Sequence, residues 1–455
     1  MENATTALGA PISQGGLGLG LDGVPEARDD GTLANPVKEM VGIMSENSID
    51  YSVLVNSLLA GTTPYALISA YSTRFELLHA LKLTRLTRLF VQAKHLPLVI
   101  SAAKEVGISP DRIYVMGSEQ ENVDGHRTLA GLIANVQRRG TPSVGVRMVK
   151  FSSLAYLIFS SGTSGLPKAV MITHGSLAAS LLQLATIGMS TTKPPPIINN
   201  LEGNPVALAF LPMHHVYGLG AYCQRTFFSP TKLIMMSRWN VDDALRLIKR
   251  YEITHLALVP AALHQMANHP DISKDHFKSL MSAGCGAAYT PLELVKKFQK
   301  YLPVEIDFMV GYGMSEGTFN ATIQPSEGAV DGSGKPLFKA RGEGSIGILN
   351  PGMDGRVVRE DGSDAEVGEV GELYVRGQNI VAGYWENPEA NRETFVVFAD
   401  AKQRGRWLNT GDRVWVDKGG AVFYADRKKD TLKVSGSQVS PVEIENVLLA
   451  HPERL

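Results

Sequence analysis

Cysteine is nearly missing from this chain: Cys223 and Cys285 are the whole complement, far apart and with no Cys-x-x-Cys pair. That excludes a disulfide framework and a zinc cluster, and it fits a reducing compartment. Charge of one sign is also missing. With a formal net charge of -1, nothing favours nucleic acid or an anionic membrane surface as a global partner, so any anion site must be local. Long apolar runs are absent too: "LAYLIF" and "VALAFLPM" break off well short of membrane-spanning length, which argues against integral membrane association. The opening "MENATTALGAPISQGG" has no basic start and no continuous apolar stretch, so it does not read as a secretory signal. These absences imply an intracellular chain, cytoplasmic or peroxisomal. The terminal "ERL" lacks the small residue that a Ser-Lys-Leu address needs.

What is present is a globular composition, 44% hydrophobic and 20% charged, over 455 residues. Such a length exceeds one ordinary core and predicts two or three subdomains. Residues 1–37 are rich in Gly, Asp and Pro and read as a flexible leader. Within it "GLGLDG" satisfies a dinucleotide-binding pattern, but no apolar strand precedes it and no helix opens on it, so a Gly-rich tail is the better reading. From 38 to 343 apolar runs alternate with helical patterns, which predicts an α/β core with largely parallel strands. From 344 to 428 short alternating segments punctuated by Gly and Asp-Gly predict hairpins of a smaller β-rich subdomain. The last piece is the run 429–455. There "SPVEIENVLLAHPERL" opens with a capping pattern and gathers Ile444, Val447 and Leu448 on one apolar face.

The stretch "SSGTSGLPK" (160–168) fails the Walker rule, because Pro167 precedes the lysine and Ala169 follows it. Its chemistry still suits phosphate. A strand "LAYLIF" leads into hydroxyl side chains, glycines and a lysine, followed by a helical pattern from about Gly175; hydroxyls and open amides can donate to anionic oxygens while a lysine adds charge. Composition alone leaves a solvated Ser/Gly loop equally open.

The rest of the chain decides it. "SSGTSGLPK" resembles the phosphate-binding signature of the adenylate-forming (AMP-binding) superfamily of acyl-CoA synthetases and 4-coumarate:CoA ligases. "LPMHHVYGLG", "SAGCGAA", "GYGMSE", "GELYVRGQNIVAGYW", "WLNTGD" and "DRKKDTLKVSGSQVSPVEIE" follow in the family's order. The resemblance covers roughly residues 40–450. It implies a large multi-layered α/β N-terminal region followed by a small α+β C-terminal domain, of which 429–455 would be the truncated start, and a reaction in which a carboxylic acid is joined to the α-phosphate of ATP and then captured by a thiol. ATP, Mg²⁺ and CoA are the implied cofactors, with a small-molecule carboxylic acid as substrate.

Carried over residue by residue, the resemblance gives Ser160, Ser161, Gly162, Thr163, Ser164 and Lys168 the β- and γ-phosphates. Gly311, Tyr312, Gly313, Met314 and Ser315 form the nucleotide stretch, with the Tyr312 ring toward adenine and the Ser315 hydroxyl toward phosphate. Ser315 stands where the family usually has Thr. Glu316 follows as the Mg²⁺ ligand, although an acidic residue after a Gly-rich turn is by itself more often a helix-terminal charge. Asp412 and Arg427 would hold the ribose; read alone they are a turn aspartate and a surface charge. His215 would lie near the activated carboxylate, Tyr217 would shape the acyl pocket, and Gly284, Cys285, Gly286 and Ala287 would line it with small residues. Cys285 reads as a wall residue, because no activating partner for a thiol can be argued. The adjacent His214 and His215 point in different directions and make a poor joint metal site. Lys433 and Gln438 match residues that approach the adenylate, and Ser435 and Gly436 match positions near CoA. With Thr163 and His215, Lys433 and Gln438 complete the expected catalytic set.

"MHHVYG" lacks the Asp that binds an amino group in peptide-synthetase adenylation domains, which disfavours an amino-acid substrate. The family's C-terminal catalytic lysine is not in the sequence, which stops at Leu455. Weak adenylation is therefore expected, since losing a cation aimed at developing charge costs on the order of 10² to 10³ in rate. Two alternatives follow: an enzyme that loads a separate carrier protein, and a catalytically weak nucleotide- or acyl-binding relic.

Overall fold

Four short apolar segments, "VGIM", "YALI", "RLFVQ" and "IYVM", are almost wholly buried and build the middle of the first sheet. The structure, a computed structural model, describes all residues except 22, 29, 161–165, 191–202, 226, 227, 229, 304, 305, 307, 327, 338–342, 399–404, 428–431, 435, 436 and 440–455; for 432–434 and 437–439 it describes the backbone alone. In the first sheet the strands run in the order Gly383–Tyr384, Lys168–Thr173, Leu154–Ser160, Tyr65–Ile68, Val41–Met44, Arg88–Gln92 and Ile113–Met116. Those from Leu154–Ser160 to Ile113–Met116 pair in parallel. Parallel strands need crossovers, and helices Ile49–Ala60, Arg74–Thr84 and Leu96–Val106 supply them. Each starts where its sequence allows: the Ser48 side chain caps the first, a Thr73/Glu76 capping box opens the second, and Pro97 occupies the first turn of the third.

The second sheet runs Lys232–Met235, Val206–Ala209, His255–Leu258, Ser282–Cys285, Phe308–Gly313, Asn320–Ile323 and Ile348–Leu349. Its first five strands are parallel and the last two antiparallel. The third sheet is antiparallel throughout, joining Met353–Val358, Gly371–Gly377, Arg406–Val416, Phe395–Val397 and Val422–Arg427. This is the mixed α/β, multi-sheet architecture expected from the alternation of apolar runs and hairpins.

Three features differ from the sequence reading. First, the phosphate-loop stretch is followed by an unexpected strand before the helix expected from about Gly175, which does begin there, at His174. It connects two antiparallel strands, Leu154–Ser160 and Lys168–Thr173, with Ser160 paired to Lys168; helix His174–Met189 starts only after the second strand, capped by Thr173. Second, 344–428 is not confined to one sheet: Ile348–Leu349 joins the second sheet and Gly383–Tyr384 the first. Third, the leader expected to be flexible packs into the core. Glu2–Gly9 is a helix whose Ala4, Ala7 and Leu8 are buried, and Leu17 and Leu19 join the same apolar cluster. Arg147 fastens it by donating to the carbonyls of Gly9 and Leu19. Gly20 of "GLGLDG" serves this packing: it has φ +71°, and a Cβ there would lie 2.2 Å from the Gly61 carbonyl oxygen.

Candidate active site

All three sheets contribute residues to one cleft of about 1110 Å³. Ser160 and Lys168 reach it from the first sheet, Gly311 to Glu316 from the second, and Asp412 and Arg427 from the third. Residues separated by up to 267 positions in sequence, from Ser160 to Arg427, thus share one space.

On the third sheet, the "NTGD" turn is built by its own side chains. Asn409 Oδ1 accepts the Gly411 N–H, and Thr410 Oγ1 accepts that of Asp412, at 2.8 and 3.2 Å. Gly411 takes φ +72°, a conformation a Cβ resists. Asp412 is thereby delivered, buried, opposite Arg427 on the neighbouring strand, with Arg427 Nε 3.4 Å from Asp412 Oδ1. The other oxygen, Oδ2, accepts the Tyr312 hydroxyl at 2.6 Å. Burial and the adjacent Asp412 carboxylate hold the Tyr312 phenol well above its ordinary range, which keeps it a donor. Gly313 is required by the bulge that follows: a Cβ there would meet the Phe319 carbonyl oxygen at 2.2 Å.

Glu316 lies in the short turn Ser315–Gly317 after that strand, and its Oε1 accepts the Tyr384 hydroxyl at 2.8 Å. Lys168 Nζ lies 5.0 Å from the centroid of the same Tyr384 ring. The predicted phosphate cation and the predicted metal ligand are therefore brought to one aromatic side chain. Among the described residues no group of three or more His, Cys, Asp or Glu converges. A single carboxylate ligand such as Glu316 nonetheless suits Mg²⁺ when phosphate oxygens and water complete its shell.

His214 and His215 both line the cleft. Burial pushes His214 down to about 4, and the surrounding protein lowers His215 in the same direction although its surface is open to the cleft. His215 Nδ1 accepts the Tyr217 backbone N–H at 3.3 Å, which leaves the proton of the neutral ring on Nε2. A neutral N–H donor suits a carboxylate oxygen without taking its charge.

The remaining acyl-pocket expectations divide. Ala287 lines the cleft, with φ +72°. Gly284, Cys285, Gly286 and Tyr217 are not among the described residues lining it. Gly284 and Gly286 face the next strand instead, where a Cβ would lie 3.1 Å from the carbonyl oxygens of Met309 and Gly311. Their small size thus answers to strand packing. Cys285 is buried and accepts the Thr290 hydroxyl at 3.4 Å; burial pushes its thiol up to about 11, which fits a wall residue rather than a nucleophile. Tyr217 packs against Phe319 beneath that layer. Ser161, Gly162, Thr163, Ser164, Ser435 and Gly436 lie outside the described residues, and Lys433 and Gln438 are described only as cross-strand partners in the hairpin Leu432–Val434 and Ser437–Val439.

Sequence reading missed two contributors. Tyr384 sits inside the quoted "GELYVRGQNIVAGYW" but received no role; an aromatic after a glycine in a motif was the available signal. His79, on helix Arg74–Thr84, hydrogen-bonds through Nε2 to the Pro167 carbonyl at 3.0 Å, next to the loop lysine. A lone helix histidine gave no signal.

The profile of a family described as AMP-binding enzyme matches residues 36–385. The chain belongs to the AMP-binding enzyme family. Relatives of this AMP-binding enzyme include 4-coumarate--CoA ligase-like 6 of Arabidopsis thaliana, 32% identical over 67% of this chain and 50% of that one. A putative acyl-coenzyme A synthetase of Emericella nidulans is 30% identical over 97% of this chain and 74% of its own. The chain spans about half the length of several such curated relatives. Among solved structures, the anthranilate CoA ligase AuaEII in complex with anthranoyl-AMP shares the fold with a TM-score of 0.78 at 21% identity, covering 99% of this chain and 76% of that one. ATP-bound MatB from Rhodopseudomonas palustris gives 0.75 at 22%, covering 99% and 77%. No helix among the described residues is long and apolar enough to cross a membrane.

Proposed function

We propose that this chain performs ATP-dependent activation of a carboxylic acid to an acyl-adenylate, followed by thioester formation with CoA. The observation that carries the reading is the convergence of Lys168, Glu316, the Tyr312–Asp412–Arg427 cluster and His215 on one cleft. Lys168, with Ser160 and the loop between them, would hold the pyrophosphate end of ATP. Asp412 would accept ribose hydroxyls, with Arg427 fixing its carboxylate. Glu316 would hold the Mg²⁺ that accompanies ATP and spreads the phosphate charge. His215, neutral and donating from Nε2, would orient the acid so that a carboxylate oxygen attacks the α-phosphorus as pyrophosphate leaves. In the second step a thiol sulfur attacks the acyl carbon and AMP departs. The work asked of these groups is positioning and charge stabilisation.

A smaller cavity of about 250 Å³ shares Tyr71 and His214 with the cleft and carries Arg238 among its lining. Thr163 stays within this proposal as a catalytic group of the phosphate loop, and Lys433 and Gln438 as catalytic groups that approach the adenylate. Residues 38–343 and 344–428 would form the adenylating body and 429–455 the start of the following domain.

Calorimetric titration with MgATP tests the nucleotide part. Wild type is expected to bind, and Lys168→Ala, Glu316→Gln and Asp412→Asn are each expected to weaken binding by about tenfold or more, the size of a lost charge-assisted contact. Absence of binding by folded wild type would sink the reading.

A further inference from the structure

Tyr384 holds two chemically distinct contacts at once. Its hydroxyl donates to Glu316 Oε1 at 2.8 Å, and its ring lies 5.0 Å from Lys168 Nζ. Its own backbone is fixed on both sides by buried Asn391, whose Oδ1 accepts the Tyr384 N–H at 2.6 Å and whose Nδ2 donates to the Tyr384 carbonyl at 2.9 Å. The preceding Gly383 makes room for that side chain: a Cβ there would lie 2.7 Å from Asn391 Oδ1, and its φ is +144°. Tyr384 also pairs with Val170, two residues beyond Lys168, on the strand that leaves the phosphate loop. The next residue, Trp385, ties the segment to helix Arg74–Thr84 by donating its indole N–H to the Leu83 carbonyl at 2.9 Å. A side chain held this firmly, 6% exposed, is not filling space by chance.

We propose that Tyr384 is a positioning residue that couples the phosphate-loop lysine to the metal-binding carboxylate, its hydroxyl occupying one Glu316 oxygen and its ring seating the Lys168 ammonium. The inference rests on the nucleotide reading of the cleft and adds to it a division of labour within one side chain. The hydroxyl fixes which carboxylate oxygen is left for Mg²⁺, and the ring face fixes where the ammonium meets phosphate. Removing the hydroxyl alone should disturb the metal response; removing the ring should disturb the phosphate grip as well.

The test is calorimetric titration of the full chain with ATP, with and without MgCl₂, in wild type, Y384F, Y384L, E316Q and the Y384F/E316Q double variant. Y384F is expected to keep its metal-free ATP affinity within about twofold, while the tightening produced by Mg²⁺ falls by about tenfold, the effect of losing one hydrogen bond to a charged group. Y384L is expected to lose about fivefold of metal-free affinity in addition, through the lost cation–π contact. In the E316Q background, Y384F should change the Mg²⁺ response no further. A wild-type Mg²⁺ response in Y384F overturns the coupling, as does an undiminished Y384F effect in the E316Q background. If Y384F melts early, the cycle still decides, because a global defect persists without Glu316 and a specific coupling does not. Wild type that binds no nucleotide rejects the reading of the cleft and the coupling with it; wild type that binds, with an unchanged Y384F, rejects the coupling alone.

Discussion

Tyr312 and Asp412 lie 100 residues apart in sequence, yet their 2.6 Å hydrogen bond makes them one unit of the cleft. Replacing Tyr312 by Phe removes a hydrogen bond to a buried carboxylate, for which about 1.5–3 kcal/mol is a reasonable scale. Y312F is therefore expected to lower the denaturation midpoint and to weaken ATP binding together, whereas a ring needed only for adenine contact would leave stability unchanged; parallel melts and titrations separate the two. The histidines give a pH signature. His214 and His255 are both pushed down to about 4, chiefly by burial. A histidine whose folded value is depressed binds its proton more readily in the unfolded chain, so its contribution to stability is present above about 6.5 and is lost as pH falls toward 4. Thermal melts from pH 7 to pH 4 should show that loss, and His255→Gln should flatten it. A wild-type melting temperature that holds constant over this range would contradict the assignment. At this scale the motif residues Lys168, Glu316, Asp412 and Arg427 were legible because each motif carries an unusual chemistry at a fixed spacing. Tyr384 was not, because its value lies in two partners that only the fold brings near.

The elements explain why single substitutions away from the cleft should still matter. Helix Arg74–Thr84 is opened by the reciprocal Thr73/Glu76 capping box and carries His79, whose ring holds the Pro167 carbonyl. Thr73→Ala is expected to cost about 1 kcal/mol of stability, read by chemical denaturation, with a smaller rise in the ATP dissociation constant through the loosened loop. Gly313 sits at a bulge with the Phe319 carbonyl oxygen 2.2 Å from where a Cβ would be. Gly313→Ala should therefore displace Met314 to Glu316 and weaken MgATP binding more than it lowers stability. The strand Lys168–Thr173 was not read from sequence, because "KAVMIT" runs directly into a helix that is apolar along its length. Short apolar runs do not declare their own period. The leader was misjudged for the opposite reason. Its Gly and Pro content pointed to mobility, while the burial of Ala7, Leu8, Leu17 and Leu19 depends on a groove that other segments create.

For the whole molecule, the order of motifs along the chain announced the family, and the alternation of runs and hairpins announced its layers. What neither could give was the meeting of three sheets at one cleft of about 1110 Å³, which turns separate signatures into one site. Nor could they show that Gly284 and Gly286 are small for their neighbouring strand, while Ala287 and His215 line the cleft. The central claim is that ATP held in this cleft is attacked by a carboxylate. The most direct measurement is pyrophosphate release from ATP by this chain across a panel of aryl and fatty carboxylic acids, with a no-acid control. The expected result is release above the control for at least one acid, dependent on Mg²⁺ and lost in Asp412→Asn. Release that ignores the acid, or MgATP binding with no release for any acid in the panel, would contradict it.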